Sequence, residues 1–209
     1  MQSRSFLKAQ AMIANFLQKT GKIFTVEAYF ELEKHSDIRH EFVNGKLIPM
    51  EGESVLSNRI SDNCGFRLRT MLYKNGYGII RHSVRLIIDD RKKYRYPDVG
   101  VVKRADITDS HAVRRPEMLV EVTSENSVTT DRKDKLKEYT ALPSLQYYLI
   151  VSQEEISVEV YSRGEKGWIY KIYEDVNAEI PLPHLDCALS LADIYENVVF
   201  AEAKSDDAV

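Results

Sequence analysis

Apolar residues along the chain recur at helical spacing in some segments and at extended spacing in others, which predicts a protein with both helices and strands. Helical spacing is found in residues 3–19, TVEAYFELEKH (25–35), residues 55–73, DRKDKLKEYTAL (131–142) and LSLADIYENVV (189–199). Strongly apolar, extended segments are IIRHSVRLIID, YPDVGVV, EMLVEVT, QYYLIV, SVEVYS and GWIYKIY. Thr25 and Ser190 stand where helix N-caps are expected.

The connections between these segments predict how the strands pair. Asn44-Gly45, between two apolar runs, is a strong hairpin signal and predicts antiparallel pairing. The strand–helix–strand order over residues 118–151 predicts a parallel pair. Together they indicate a mixed β-sheet flanked by helices, in the α/β class.

Composition bounds the domain organisation. A chain of 209 residues with 44% hydrophobic residues favours one main domain, here residues 25–200, after a helical extension (1–24) and before a flexible tail (201–209). The apolar runs are too short for a membrane span, and the N-terminus lacks the pattern of a secretory signal, so we expect a cytoplasmic protein. Cys64 and Cys187 are expected to be free thiols rather than a disulfide.

Two carboxylates stand inside segments that otherwise have the pattern of buried strands. Asp98 opens the run DVGVV, and Glu121 lies between Val120 and Val122. A buried carboxylate is unfavourable unless it is paired or binds a cation. If the two strands are neighbours, the acids converge, and two close like charges stay ionised only beside a cation. A hard cation such as Mg²⁺ prefers oxygen ligands, so the pair predicts a metal site.

Lys135 lies on the predicted helix that follows the Glu121 strand, with Asp131 as its expected N-cap. Functional sites of open α/β sheets gather at the carboxyl ends of strands, where Lys135 could reach a phosphate or orient a water molecule. The alternative is a surface lysine paired with Asp131 at i,i+4 spacing. Periodicity alone favours this alternative.

The order and spacing of these motifs resemble the Uma-type restriction endonuclease family, which belongs to the PD-(D/E)XK nuclease superfamily. The segments that carry the resemblance are TVEAYFELEKHSDIRHEFVNGKLIPM, YPDVGVV, PEMLVEVTS, DRKDKLKEYTALPSLQYYLIV and SVEVY, within Thr25 to Leu191. The resemblance implies a restriction-endonuclease-like fold and Mg²⁺-dependent cleavage of DNA, with Mn²⁺ as a substitute. It also implies a homodimer in which each subunit cuts one strand.

The resemblance assigns roles to particular residues. Asp98 and Glu121 would be the metal-binding acids, the backbone carbonyl of Val122 would be a further ligand, and Glu41 would be an additional acid. The implied catalytic set is Asp98, Glu121, Glu41 and Lys135.

This chain departs from the family pattern at several positions. Thr123 occupies the position of the superfamily lysine, and Lys135 on the next helix is its implied substitute. His40 replaces a usual tyrosine, Asn58 replaces a usual histidine, and TSENS lacks the usual Ser-Pro-Ser. None of these changes removes a metal-binding acid or the helix lysine.

Local charge suggests where nucleic acid would bind. The net charge of −3 does not by itself favour nucleic-acid binding. The stretch from Arg81 to Arg104, however, has eight basic and three acidic residues. Its segment DDRKKYR is either a solvated hairpin tip or a patch that contacts phosphates. The candidate phosphate contacts are Arg91, Lys92, Lys93 and Arg95.

Two other functions are compatible with the sequence. One is a non-catalytic DNA-binding or assembly module that retains the nuclease fold, favoured by the acidic net charge and by Thr123. The other is a structural oligomer whose acids cap each other or bind a stray cation. The five histidines show no zinc spacing, and surface or strand-end positions are expected for them.

Overall fold

A computed structural model describes residues 23–50, 52–124, 129 and 131–200. The helix predicted within residues 3–19 and the predicted tail lie outside the described residues. The described residues form two compact units that interleave along the chain. The smaller unit takes the residues up to Gly52, Ser83–Tyr96 and Asp109–Arg114; the larger unit takes Glu53–His82, Pro97–Thr108 and the residues from Arg115 onward.

The elements follow the predicted alternation of helices and strands. The helices are α1 (Val26–His35), α2 (Val55–Leu72), α3 (Leu136–Thr140) and α4 (Leu191–Ile194). The strands are β1 (His40–Val43), β2 (Lys46–Pro49), β3 (Tyr77–Arg81), β4 (Arg85–Asp89), β5 (Lys93–Arg95), β6 (Val99–Lys103), β7 (Ala112–Val113), β8 (Pro116–Thr123), β9 (Tyr147–Ser152), β10 (Val158–Gly164), β11 (Gly167–Tyr173), β12 (Glu179–Leu182) and β13 (Cys187–Ser190). No helix of the described residues is long and apolar enough to cross a membrane.

The smaller unit is built on a five-stranded sheet in the order β2-β1-β5-β4-β7. Asn44 and Gly45 join β1 to β2 with φ angles of 51° and 84°, the left-handed values that a tight hairpin turn requires, so the predicted hairpin is confirmed. Thr25 caps α1 as expected, since its Oγ1 accepts a hydrogen bond from the Ala28 N–H at 3.2 Å. The buried core of this unit consists of Tyr29, Phe42, Leu47, Ile87, Tyr94 and Ala112.

The larger unit is built on a six-stranded sheet in the order β11-β10-β9-β8-β6-β3. Strands β8 and β9 pair in parallel, and the other neighbours pair antiparallel, so the predicted mixed sheet is confirmed. Helix α2 packs its apolar stripe into the core of this unit. That stripe consists of Ile60, Cys64, Leu68 and Leu72, each 0% exposed.

Helix α3 lies between β8 and β9 and is preceded by a π-helical turn, Asp131–Lys135. Tyr139 faces inward as predicted, is 0% exposed and meets the Tyr148 ring edge-on at 5.1 Å between centroids. Leu136 is half-buried. The Asp131 side chain, predicted to cap this helix, lies outside what the structure describes.

The carboxyl-terminal part differs from the prediction of one long helix over residues 189–199. Cys187–Ser190 instead forms β13, which pairs with β12, and α4 has only four residues. Leu189 and Leu191 are both fully buried, and a strand followed by a short helix buries both of them. Ser190 still caps the helix, because its Oγ accepts a hydrogen bond from the Ala192 N–H.

Both cysteines are free thiols, as predicted. Cys64 is completely buried in the core of the larger unit. Its burial, and to a smaller extent the negative charge of Asp98, raise the pKa of the Cys64 thiol to about 12. The thiol therefore stays protonated and acts as a small apolar core residue.

Candidate active site

The pairing of β6 with β8 brings Asp98 beside the strand that carries Glu121. Val99 pairs with Val120 in this antiparallel ladder, and Asp98 and Glu121 are the chain neighbours of that pair. Asp98 Oδ2 also accepts a hydrogen bond of 2.6 Å from the Val122 N–H. The two strands are thus neighbours, as convergence of the acids required.

Glu121 is held by two side chains of the segment that follows its strand. Its carboxylate is buried, with 3% of the residue exposed. The Tyr139 hydroxyl donates to Oε1 at 2.8 Å, and Lys135 Nζ lies 2.9 Å from Oε2. The Lys135 side chain is only 13% exposed, so its interpretation as a surface lysine is wrong.

Asp98 also faces a histidine and a second glutamate. His82 follows β3, and its backbone N–H donates to the backbone carbonyl of Asp98 at 3.3 Å. Its Nδ1 lies 3.6 Å from Asp98 Oδ1 and 2.7 Å from Glu53 Oε1. The Asp98 and Glu53 carboxylates raise the pKa of His82 above its ordinary value, against the opposing effect of burial. The possible ligand atoms of Glu53, His82 and Asp98 all lie within 4.8 Å of one another.

No motif or spacing in the sequence predicted that His82 and Glu53 would join this cluster. Glu53 directly precedes the cap of α2, Ser54, and His82 directly follows an edge strand of the sheet. Neither stands at a recognisable spacing from Asp98. A usable signal would have been the pairing of β3 with β6, because the Arg81–Val99 pair makes His82 the residue opposite Asp98.

Glu41 and Arg95 bond to each other inside the smaller unit. Arg95 Nη1 donates to Glu41 Oε2 at 2.6 Å, and their side chains are 2% and 10% exposed. A guanidinium buried in this way cannot meet a phosphate without rearrangement, so the expected phosphate contact by Arg95 is corrected to a buried ion pair. The carboxylate of Glu41 is likewise engaged by Arg95, and its role as an additional acid finds no support here.

The other predicted nucleic-acid contacts lie at a turn. The turn follows β4, and Arg91 and Lys92 are exposed on it while Lys93 is half-buried at the start of β5. This is the solvated hairpin tip that the sequence suggested, and phosphate binding by these residues stays a prediction. Thr123, at the position of the superfamily lysine, is 4% exposed and pairs with Ser152 of β9.

Comparison with known proteins identifies the family. Residues 26–192 match the model of the Uma2 family, described as "Putative restriction endonuclease". The chain belongs to the Uma2 family. Two uncharacterized Synechocystis proteins are similar to it: sll1609, 33% identical over 77% of this chain and 93% of that protein, and slr1290, 26% identical over 83% and 92%.

A solved structure is similar to this Uma2 chain in fold. It is the crystal structure of a protein from Anabaena variabilis described as "a putative nuclease belonging to DUF820". The TM-score is 0.67 over 82% of this chain and 97% of that chain, at 16% identity. The predicted family and the restriction-endonuclease-like α/β fold are thus confirmed.

The residues at this end of the sheet suit a divalent cation. Asp98 and Glu121 offer carboxylate oxygens, the ligands that hard cations prefer. Each acid has one oxygen bonded to a neutral donor, the Val122 N–H for Asp98 and the Tyr139 hydroxyl for Glu121. These bonds orient the two carboxylates, and Lys135 Nζ lies 2.9 Å from the second oxygen of Glu121.

Proposed function

We propose that this Uma2 protein hydrolyses phosphodiester bonds in DNA with a bound divalent cation, Mg²⁺ or Mn²⁺. The observation that carries the proposal is the buried Glu121–Lys135 pair on the strand whose Val122 N–H donates to the second acid, Asp98. A buried ion pair contributes little net stability, because desolvation offsets the attraction of the two charges. Its presence in this frame therefore favours a catalytic role over a structural one.

Asp98 and Glu121 are the proposed metal ligands, and the Val122 carbonyl is a further one. When bound, the cation would activate a water molecule and polarise the scissile phosphate. The chain itself orients the two carboxylates, since the Val122 N–H restrains Asp98 and the Tyr139 hydroxyl restrains Glu121. Preset ligand directions lower the cost of organising the site when DNA arrives.

Lys135 is proposed to stabilise negative charge that develops on the phosphate. Its ammonium group is held by Glu121 in a mostly buried position, where electrostatic interactions are stronger than in water. The ammonium has three donor hydrogens, so it can keep Glu121 and also donate to a phosphate oxygen. Lys135 would thereby replace the lysine that Thr123 does not provide.

Duplex cleavage would use two copies of the chain, each cutting one strand. The proposed contacts to the DNA backbone are Arg91, Lys92 and Lys93 at the turn after β4, of which the first two are exposed. Such contacts position the duplex without reading its sequence. These three residues are therefore expected to raise the affinity for DNA without selecting the target sequence.

A non-catalytic DNA-binding or assembly module is the second candidate. Thr123 at the superfamily lysine position favours it, because the third-position lysine is absent from β8. This candidate predicts DNA binding that weakens steeply with salt and no cleavage at any metal concentration. A plasmid assay with Mg²⁺ separates the two candidates.

Removal of divalent cations is expected to abolish plasmid cleavage. With EDTA in excess, the purified protein should leave supercoiled plasmid intact, because the proposed water activation depends on the cation. Addition of Mg²⁺ or Mn²⁺ in excess over EDTA should restore nicking. Gel analysis of the plasmid forms measures both results. Nicking that persists in EDTA would contradict the proposal.

Replacement of Lys135 by methionine is expected to lower the cleavage rate about 10²–10³-fold, the usual cost of losing one group that stabilises transition-state charge. Cleavage rates and the thermal midpoint should be measured together, so that loss of folding is recognised. Lys137→Met is the matched control, since Lys137 lies two residues further along, in α3, and is exposed. Equal rates for the two variants would remove Lys135 from the mechanism.

A further inference from the structure

His82 has a buried ring nitrogen that the proposed mechanism does not use. Nδ1 is inaccessible to solvent and has no hydrogen-bond partner among the residues that the structure describes. It lies 2.7 Å from Glu53 Oε1, but the directions of the two groups do not make a hydrogen bond. Buried polar atoms are nearly always satisfied, and an exception calls for an explanation such as an ion.

The hydrogen bonds on the other side of the ring determine its tautomer. Ser61 Oγ donates its single hydrogen to the Asn58 carbonyl at 2.9 Å. The same Oγ lies 3.2 Å from His82 Nε2, so it must accept there, and Nε2 carries the hydrogen. In the neutral ring, Nδ1 therefore directs a lone pair toward Glu53 and Asp98. A lone pair facing two carboxylates is unfavourable unless a cation or a proton lies between them.

The distances within the cluster suit one metal ion. Metal–ligand bonds of about 2.1 Å place adjacent ligand atoms roughly 3 Å apart and opposite ones roughly 4.2 Å apart. His82 Nδ1 lies 2.7 Å from Glu53 Oε1 and 3.6 Å from Asp98 Oδ1, and the three ligand atoms fall within 4.8 Å of one another. They can thus occupy neighbouring positions around a single ion.

The backbone at His82 is also unusual. Its φ is +23°, a region that costs free energy for a residue with a side chain and that persists where the surroundings demand it. The turn after β3 thereby directs the imidazole toward Asp98 and Glu53. Strained residues of this kind cluster at functional sites.

We infer that His82 and Glu53 complete the cation site at Asp98 and make it select first-row transition metals over Mg²⁺. The inference rests on the proposed function for the role of Asp98 as a metal ligand. An imidazole nitrogen is a softer ligand than a carboxylate oxygen and suits zinc, iron, nickel and copper, whereas Mg²⁺ prefers oxygen alone. Co²⁺ and Zn²⁺ should accordingly bind this protein more tightly than Mg²⁺ does.

The test is metal binding by the purified full chain in the absence of DNA. Co²⁺ is titrated by visible absorption, and Zn²⁺ and Mg²⁺ are titrated by calorimetry. His82→Asn is the test variant because asparagine tolerates positive φ and lacks the imidazole. Its affinity for Co²⁺ and Zn²⁺ should fall about 10- to 100-fold, its Mg²⁺ affinity should change less than about threefold, and the Co²⁺ absorption bands should shift.

His184→Asn is the matched control, because His184 Nε2 also bonds a buried glutamate, Glu117, at 2.8 Å away from the cluster. It should leave all three affinities unchanged. Equal Co²⁺ affinity and spectrum in wild type and His82→Asn would overturn the inference, as would a wild type that binds no Co²⁺. His82 would then form only an ion pair with Glu53.

Failure of the inference and failure of the proposed function give different results. If plasmid cleavage with Mg²⁺ depends on Asp98 while the Co²⁺ affinity is the same in wild type and His82→Asn, the proposed function is supported and the inference is wrong. If Co²⁺ binding depends on His82 and no metal supports cleavage, the cation site stands and the nuclease proposal falls. The thermal unfolding midpoint of each variant, measured without metal, identifies a variant that has lost its fold.

Discussion

Asp98→Asn and Glu121→Gln each lower the rate of metal-dependent plasmid cleavage by about 10³-fold or more. Each change removes a negative charge from the proposed metal site while the shape of the side chain is kept. Asparagine can still accept from the Val122 N–H, and glutamine can still accept from the Tyr139 hydroxyl. A loss of several kcal/mol of metal-assisted stabilisation corresponds to this rate change.

Glu117→Gln is the control for these two variants. Glu117 lies on the same strand as Glu121, is also buried, and bonds Lys103 at 2.9 Å and His184 at 2.8 Å instead. Its replacement should change the cleavage rate less than about threefold, because its partners are not in the proposed mechanism. Cleavage that survives in both Asp98→Asn and Glu121→Gln would show that the metal site lies elsewhere.

Arg95→Met lowers the free energy of unfolding by about 3–5 kcal/mol, the usual result of leaving one charge of a buried pair without its partner. Arg95 is 1% exposed and donates to Glu41 at 2.6 Å, so methionine would leave the buried carboxylate of Glu41 without this cation. Urea denaturation followed by circular dichroism measures the change. The surface variant Arg114→Met should cost less than about 1 kcal/mol, because Arg114 and its partner Asp90 are both more than half exposed.

The double variant Glu41→Leu/Arg95→Met separates the ion pair from other effects of the substitution. The double variant does not leave the buried Glu41 carboxylate without the Arg95 cation, so it should be more stable than Arg95→Met alone. A double variant no more stable than Arg95→Met would mean that the lost stability comes from packing. Such a result would also reopen a functional role for Glu41.

Much of the fold could be predicted because its signals are local. The left-handed turn at Asn44-Gly45 depends on two adjacent residues, and the Thr25 cap depends on a hydroxyl three residues from its donor. The apolar stripe of α2 has a period that a helix alone satisfies. The prediction of one long helix at residues 189–199 was wrong. The same apolar residues are also buried by β13 followed by α4, and the strand forms there because β12 is available to pair with it.

The candidate site was predictable only in part. Asp98 and Glu121 were visible because a charge inside an apolar run stands out in any sequence. Arg95 was placed at the DNA surface because it follows a basic turn, whereas in the structure it is buried against Glu41. The sequence could not show this, because residue 41 and residue 95 meet only through the pairing of β1 with β5.

By itself, the sequence determined the class of the fold, its family and the two candidate acids, Asp98 and Glu121, since these follow from periodicity, from the order of the motifs and from the unfavourable placement of charge within apolar runs. The tertiary structure alone decided which side chains meet those acids. It directed Lys135 to Glu121 and brought His82 and Glu53 to Asp98. The physical reason is that strand register and the conformation of turns are set by packing across the sheet, and residues distant in the chain become neighbours only when that packing forms.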